Sequence, residues 1–364
     1  MTTRTEAITA LDSYADTVYT AARAEQKALD QVTIDDLNSQ VTSLTNDVSM
    51  LNITIANLNQ QIVDLKAQID ALTAPELIEF SNFAVQWSGI FLDAKSLLGK
   101  GVSKTIYQMK PLTSTKADAV NALTSGQSNL CLLVRSGGLD SSHIYSGIEI
   151  GDFTLRGTNQ GHNYGGLNVG YSTGAYLHDL KITGIPGSSS SPPGETFALG
   201  AWHANGYRYE DIILDGRDSA GIKVSASLLG INSSLTGTVR RLKSNYAKYG
   251  FGAALWDSKD LTFVDCDFRY NRKAINIEES RGGYYTFTRC DFRGTTGAAY
   301  IAQVSSTKAS SKVTFNDCVF DNDLCKVLTY PGQTNGKQLD SDIKRFINGV
   351  DVTSDATKFQ IVHP

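Results

Sequence analysis

From Ile34 to Leu72 apolar residues recur at alternating intervals of three and four. Ile34, Val41, Val48, Ile55, Ile62 and Ile69 occupy heptad position a, and Leu37, Leu44, Leu51, Leu58, Leu65 and Leu72 occupy position d. A β-branched a with leucine at d is the pattern of a coiled coil. The stripe is narrow and holds the 3.5-residue period throughout, so these helices are expected to associate with copies of themselves rather than to lie on a globular core. Thr33 with Asp36 reads as an N-cap, and Pro75 marks the stop, which bounds a stalk at residues 33–74. Upstream, Ile8, Leu11, Ala15, Val18, Ala22, Leu29 and Val32 keep a second heptad frame, out of phase with the first and interrupted by Glu25. A short separate helix within residues 1–32, with a break before the stalk, is the expected arrangement, and it offers an attachment surface.

Past Pro75 the period changes from 3.5 to 2. After a transition at residues 75–100, short alternating strands are expected, among them "IEIGDFTLRG" from Ile148, "YLHDLKITG" from Tyr176 and "YEDIILDGR" from Tyr209. "LTFVDCDFRYN" from Leu261 is then echoed by "YTFTRCDFRGT" from Tyr285 and "VTFNDCVFDND" from Val313. A unit repeated at such spacing, with two strands in each repeat, winds coil upon coil and places equivalent side chains over one another. Phe263, Phe287 and Phe315 are expected in one internal stack, Cys266, Cys290 and Cys318 in a second, and Phe268, Phe292 and Phe320 in a third. The fold class read from this is an α-helical coiled coil followed by an all-β parallel β-helix, a solenoid over residues 101–330. Residues 331–364 are expected to cap its last coil, an edge that would otherwise aggregate.

A second echo sets the outer surface. Aligning "GIKVSAS" from Gly221 with "AALWDS", "AINIEES" and "AAYIAQVSS" turns Ile222/Val224, Ala253/Leu255, Ile275/Ile277 and Ala299/Ile301 inward. Lys223, Ala254, Asn276 and Tyr300 then form one outer column, and Ser225, Trp256, Glu278 and Ala302 the next.

Composition narrows the function. With 41% hydrophobic and 19% charged residues and a net charge of -4, the 364-residue chain reads as folded and offers no basic footprint for nucleic acid. No spanning segment and no secretory signal are expected. The five cysteines show no CxxC pairing, so free thiols are expected and a zinc site on the cysteine column is not.

The candidate ligand face is a glycan site of Trp202, His203, Tyr207, Lys223, Trp256 and Glu278, with aromatic plates for sugar rings and polar neighbours for hydroxyls. The Pro- and Ser-rich stretch from Ile185 must project beside Trp202, His203, Tyr207 and Tyr209, because it cannot join a β ladder. Catalysis would need two carboxylates facing one cleft. Asp215, Asp218 and Glu278 are the candidates, but Glu279 follows Glu278 on the opposite side of a strand, and Asp215 and Asp218 fall in a turn where aspartate is locally favoured. His143, His178 and His203 show no metal-ligand spacing, and His162 among its glycines precedes Asp215, the wrong order for a polygalacturonase-like pattern. No metal or cofactor is expected, and the reading leans away from an enzyme.

A heptad helix followed by phenylalanine and cysteine stacks, carried by the heptads and by "LTFVDCDFRYN" with its echoes, resembles the tail fibres, tail spikes and minor tail proteins of bacteriophages, whose right-handed β-helix is shared with pectate-lyase-like enzymes. The resemblance covers the architecture from Ile34 to about Tyr330. It implies a homotrimer, a virion component made in the host cytoplasm, held to tail or baseplate proteins by its N-terminus and meeting host surface polysaccharide through the β-helix. Isoleucine or valine at a with leucine at d favours two strands. The mainly uncharged e and g positions, which can be partly buried, favour three. A depolymerising tail spike, acting as hydrolase or lyase, and a secreted bacterial adhesin are the alternatives.

Overall fold

A computed structural model describes residues 3–73, 76–80, 90–91, 96–109, 131–137, 141, 144–157, 165–187, 197–225, 227–278, 281–295, 300–306, 308–330 and 338–363. The chain divides into two units, Met1–Ala74 and Pro75–Pro364.

The first unit is one helix, α1, Arg4–Thr73. The expected break near residue 32 is absent: no glycine or proline stands there, and the Thr33 hydroxyl, rather than capping a new helix, donates to the Leu29 carbonyl one turn back. The change of heptad phase therefore moves the apolar stripe round the helix and leaves the backbone continuous. Gln26–Asp30, Gln31–Asp35 and Gln60–Asp64 amide-to-carboxylate bonds at four-residue spacing support the surface. The ten a and d residues from Ile34 to Leu65 are each 49–63% exposed. The side chains of Ile69 and Leu72 lie outside the described residues. The stripe leaves apolar area of this helix in water, which is unfavourable.

The second unit is built from two long sheets between which the chain alternates. Sheet 1 includes, in order, Glu149–Arg156, Tyr176–Thr183, Tyr207–Asp215, Gly237–Arg240, Leu261–Val264, Tyr284–Thr288, Lys312–Asn316 and Ile343–Ile347. Sheet 2 includes Gly165–Thr173, Phe197–Asn205, Ser227–Asn232, Phe251–Trp256, Lys273–Glu278, Ala302–Ser305, Cys325–Thr329 and Phe359–Val362. The described pairs are parallel except for a closing hairpin between Ile343–Ile347 and Val350–Asp351. Each strand hands its unpaired edge to the next coil, which is a parallel β-solenoid.

Between the sheets the side chains stack as the register dictates. Phe263 and Phe287 lie 4.9 Å apart at 11°, and Phe287 and Phe315 5.4 Å apart at 17°. Phe268, Phe292 and Phe320 form a second column with 5.4 Å steps. The two columns meet edge to face at 5.9 to 6.5 Å, the geometry aromatic quadrupoles favour. Cys266, Cys290 and Cys318 are buried and unbridged, each thiol donating to a carbonyl, such as Cys290 to Phe263 at 3.7 Å. Outside this column a short staple repeats: Asp215, Asp267 and Asp291 each accept from the guanidinium two residues on, Arg217, Arg269 and Arg293.

Where sheet 1 bends, Asp152, Asp179, Asp211, Arg241, Asp265, Arg289 and Asp317 occupy successive rungs with φ between 46° and 62°. Aspartate tolerates this left-handed conformation better than most residues. The segment expected only to cap the solenoid contributes a further coil through Ile343–Ile347 and Phe359–Val362. Its Arg345 takes the rung after Phe315 and is 1% exposed, with its guanidinium against Phe320, Asp323 and the Lys358 carbonyl.

Candidate functional site

The outer face of sheet 2 carries the aromatic residues. Leu199, Leu229, Ala253 and Ile275, with Ala201, Ile231, Leu255 and Ile277, point into the core. The alternate positions face out in two columns: Asn168, Gly200, Gly230, Ala254, Asn276 and Gln303, then Gly170, Trp202, Asn232, Trp256, Glu278 and Ser305. The structure thus brings three of the proposed ligand residues, Trp202, Trp256 and Glu278, into one column. Trp202 and Trp256 are two rungs apart, about 9.5 Å at the usual strand spacing.

Phe197 and Phe251 pack on this face with Ala254 and Trp256 as a second apolar cluster separate from the core. Phe197 meets Trp256 edge-on at 5.3 Å. Its ring lies over Gly230, where a Cβ would come within 2.5 Å of it, so only glycine leaves that seat open. Trp256 Nε1 and Asn276 Nδ2 both donate to Glu278 Oε2 at 3.0 Å. Lys273 Nζ donates to Gln303 Oε1 at 3.1 Å and lies between the rings of Phe251 and Tyr300. Burial, and secondarily Arg272, lowers the Lys273 pKa, with Glu278 opposing. Tyr330 is raised by burial, then by Tyr300 and Glu278. Three polar atoms of the face, Asn168 Oδ1, Asn276 Oδ1 and Trp202 Nε1, are buried without a hydrogen-bond partner. Such atoms cost free energy unless something bonds to them.

The other proposed residues fall elsewhere. His203 follows Trp202 in the same strand but at a left-handed residue, φ 51°, and stacks on Tyr171 at 4.6 Å, its pKa lowered first by burial and then by Arg281. Tyr207 is a core residue beside Tyr209, not a surface one, because its strand belongs to sheet 1 and alternation turns it inward. Burial pushes the phenol pKa of both far up. Lys223 sits on a turn away from the face, donating to the Tyr270 carbonyl. The echo that placed it was aligned one segment early: the strand equivalent to Phe251–Trp256 is Ser227–Asn232, while Ile222 is exposed. The last repeat also slips, since Asn276 pairs with Gln303 rather than Tyr300 and Glu278 with Ser305 rather than Ala302.

Asp215 and Asp218 do not form a catalytic pair. Asp215 grips Arg217 through two bonds of 2.8 Å, and Asp218 accepts from the Ala220 and Ile222 amides that close its turn. Nearest to the face in sequence, Asp257 is held by Arg281 and Lys308. Glu278 is therefore left without a second free carboxylate in its columns. His143, His162, Glu279, the side chain of Cys131 and the Pro-Ser stretch at 188–196 lie outside the described residues.

Phe197, Phe251, Lys273 and Gln303 were not anticipated. A signal for the first two exists: "FALGAW" and "FGAALW" each set a phenylalanine five positions before a tryptophan.

No family model matches the sequence, and no curated protein matches it. Among solved structures the chain is similar to the A-module of mannuronan C-5 epimerase AlgE4 from Azotobacter vinelandii, at 11% identity over 79% of this chain and 86% of that one, with a TM-score of 0.37. The AlgE6 A-module from the same organism gives 10% identity over 79% and 84% with a TM-score of 0.32. Pectate lyase C from Erwinia chrysanthemi gives 12% over 80% of each chain, also with a TM-score of 0.32. At such identities few side chains are shared, and the chemistry of the face rests on its own residues.

Proposed function

We propose that this chain binds a polysaccharide along the outer face of sheet 2, with Trp202 and Trp256 as plates for sugar rings and Glu278 and Lys273 as partners for their substituents. The observation that carries the reading is the single outer column that brings Trp202, Trp256 and Glu278 together beside the Phe197–Phe251 cluster. A sugar offers apolar ring faces and hydroxyls that donate and accept, which suits both halves of that surface. Trp256→Ala with the fold intact is expected to weaken retention on immobilised polysaccharide at least tenfold. Retention equal to the wild type overturns the reading.

A second reading, cleavage of the bound polysaccharide, is favoured by the Lys273 amine standing on the same face as the Glu278 carboxylate, two groups that could exchange protons with a substrate. Incubation with polysaccharide that releases no new reducing or unsaturated ends excludes it and leaves binding standing. The exposed heptad stripe supports self-association of α1, as a trimer in the arrangement the phage tail-fibre resemblance implies, with host surface polysaccharide as the target and tail or baseplate proteins at the N-terminus. Mass in solution tests the trimer, and labelling of intact virions tests the location.

A further inference from the structure

On the opposite sheet, at the bend of sheet 1, a second group of side chains converges. Asp152, His178 and Asp179 each present a ligand atom, all within 4.8 Å of one another. His178 and Asp179 are consecutive, whereas Asp152 lies far from them in sequence and meets them only across one rung of the ladder. His178 is fixed in place. Its Nδ1 is 3.0 Å from Asp179 Oδ2 and its Nε2 3.2 Å from Glu149 Oε1. Tyr176 stacks on the ring at 4.6 Å, held in turn by Arg208 at 4.0 Å. Gly151 lies against the ring, where any Cβ would come within 2.6 to 2.8 Å of three of its atoms.

The corner column supplies a second reason to look here. Lower down, charges alternate and pair across rungs: Asp211 with Arg241 at 2.7 Å and Asp265 with Arg289 at 2.6 Å. Glu210, the rung neighbour of His178, is shared between Arg208 and Arg241. At Asp152 and Asp179 two aspartates follow one another, and the ion pairs of the described residues bring no arginine or lysine to either. A cation is what that position of the column lacks.

We propose that Asp152, His178 and Asp179 bind a divalent cation of the zinc class, with Glu149 orienting the imidazole. An imidazole nitrogen with two carboxylate oxygens suits zinc and its transition-metal neighbours, whereas calcium and magnesium take oxygen ligands almost throughout. A ligating histidine normally gives its other ring N–H to a carboxylate, which fixes the tautomer, and Glu149 stands at that nitrogen. The cation binds at Nδ1 in place of a proton, with Asp179 and Asp152 as its oxygen donors and water completing the shell. The competing arrangement is a protonated imidazole bridging Glu149 and Asp179 with no metal.

Equilibrium dialysis of the full chain against zinc ion separates them. One zinc per chain is expected, with a thermal midpoint that rises on loading. His178→Gln is expected to abolish both effects, and Glu149→Gln to weaken binding about 10- to 100-fold. His203→Gln should leave it unchanged. Failure of the wild-type chain to retain zinc overturns the site, as does stoichiometric zinc that survives His178→Gln. Circular dichroism of the metal-free variants keeps loss of binding distinct from loss of fold. A cobalt-loaded wild type, whose visible absorption reports coordination, gives a reading that needs no variant. The polysaccharide face does not enter this test.

Discussion

The helix and the solenoid bury apolar residues in opposite ways. Along α1 the leucines and isoleucines of the a and d positions stand more than half in water or close to it, while Phe263, Phe287 and Phe315 in the solenoid are fully enclosed by their own chain. A helix has one face and no second layer, so its stripe can be covered only from outside. A solenoid coil covers the coil before it, so each repeat completes its predecessor. If α1 self-associates as proposed, the two units depend on different things: one on concentration and partners, the other on the continuity of its stacks.

Breaking a stack tests the second dependence most strongly. Phe287→Ala removes a ring that contacts Phe263, Phe315, Phe268 and Phe292, and is expected to cost about 3–5 kcal/mol, seen as a lowered denaturation midpoint of the β unit. Leu44→Asp with Leu51→Asp should leave that midpoint unchanged and reduce the mass in solution to that of a single chain. An assembly that survives both aspartates would show that the stripe is not its seam. Cys290→Ser should cost about 1–3 kcal/mol, because the hydroxyl is more expensive to bury than the thiol and its carbonyl partners stand beyond ideal oxygen distance. In the native state Cys266, Cys290, Cys318 and Cys325 should resist alkylation at mildly alkaline pH, since all four are buried, and burial pushes the pKa of Cys290, Cys318 and Cys325 well up. Peptide mapping after iodoacetamide, with and without denaturant, checks this.

The smallest effect is with pH. Hydrogen bonds from Arg241 and Arg289 lower the pKa values of Asp211 and Asp265. Their stabilising contribution is complete above the ordinary carboxylate pKa of about 3.9 and is lost as pH falls through the depressed folded values. Both pairs are largely solvated, so the shift is small. A melting series from pH 7 to 3 should be flat above about pH 4 from these groups, and Arg241→Gln should flatten the fall below it.

The periodicity made the large features readable. A 3.5-residue repeat and a recurring F-x2-C-x-F are consequences of how a helix and a coil repeat, so they can be counted along a line of text. What stayed hidden depends on pairing between coils. The single helix through Val32 was missed because a change of heptad phase and a chain break look alike until the Thr33 hydroxyl is seen bonded to Leu29. Lys223 was misassigned because coil lengths vary and the echo before Phe251 was matched one segment early, and Tyr207 because its place after the Pro-Ser stretch does not reveal which sheet its strand joins. His178 looked solitary for a similar reason: Glu149 and Asp152 reach it only across the rung between coils.

Arg345 sits where a fourth phenylalanine of the Phe263 column would otherwise lie. A guanidinium already committed to Asp323 and to two carbonyls gives an incoming aromatic nothing to stack upon, so the final coil is a poor template for the first coil of another molecule. A repeat duplicated upstream of that arginine would keep ring over ring, whereas one inserted directly after it would meet a guanidinium where the phenylalanine column expects an aromatic face.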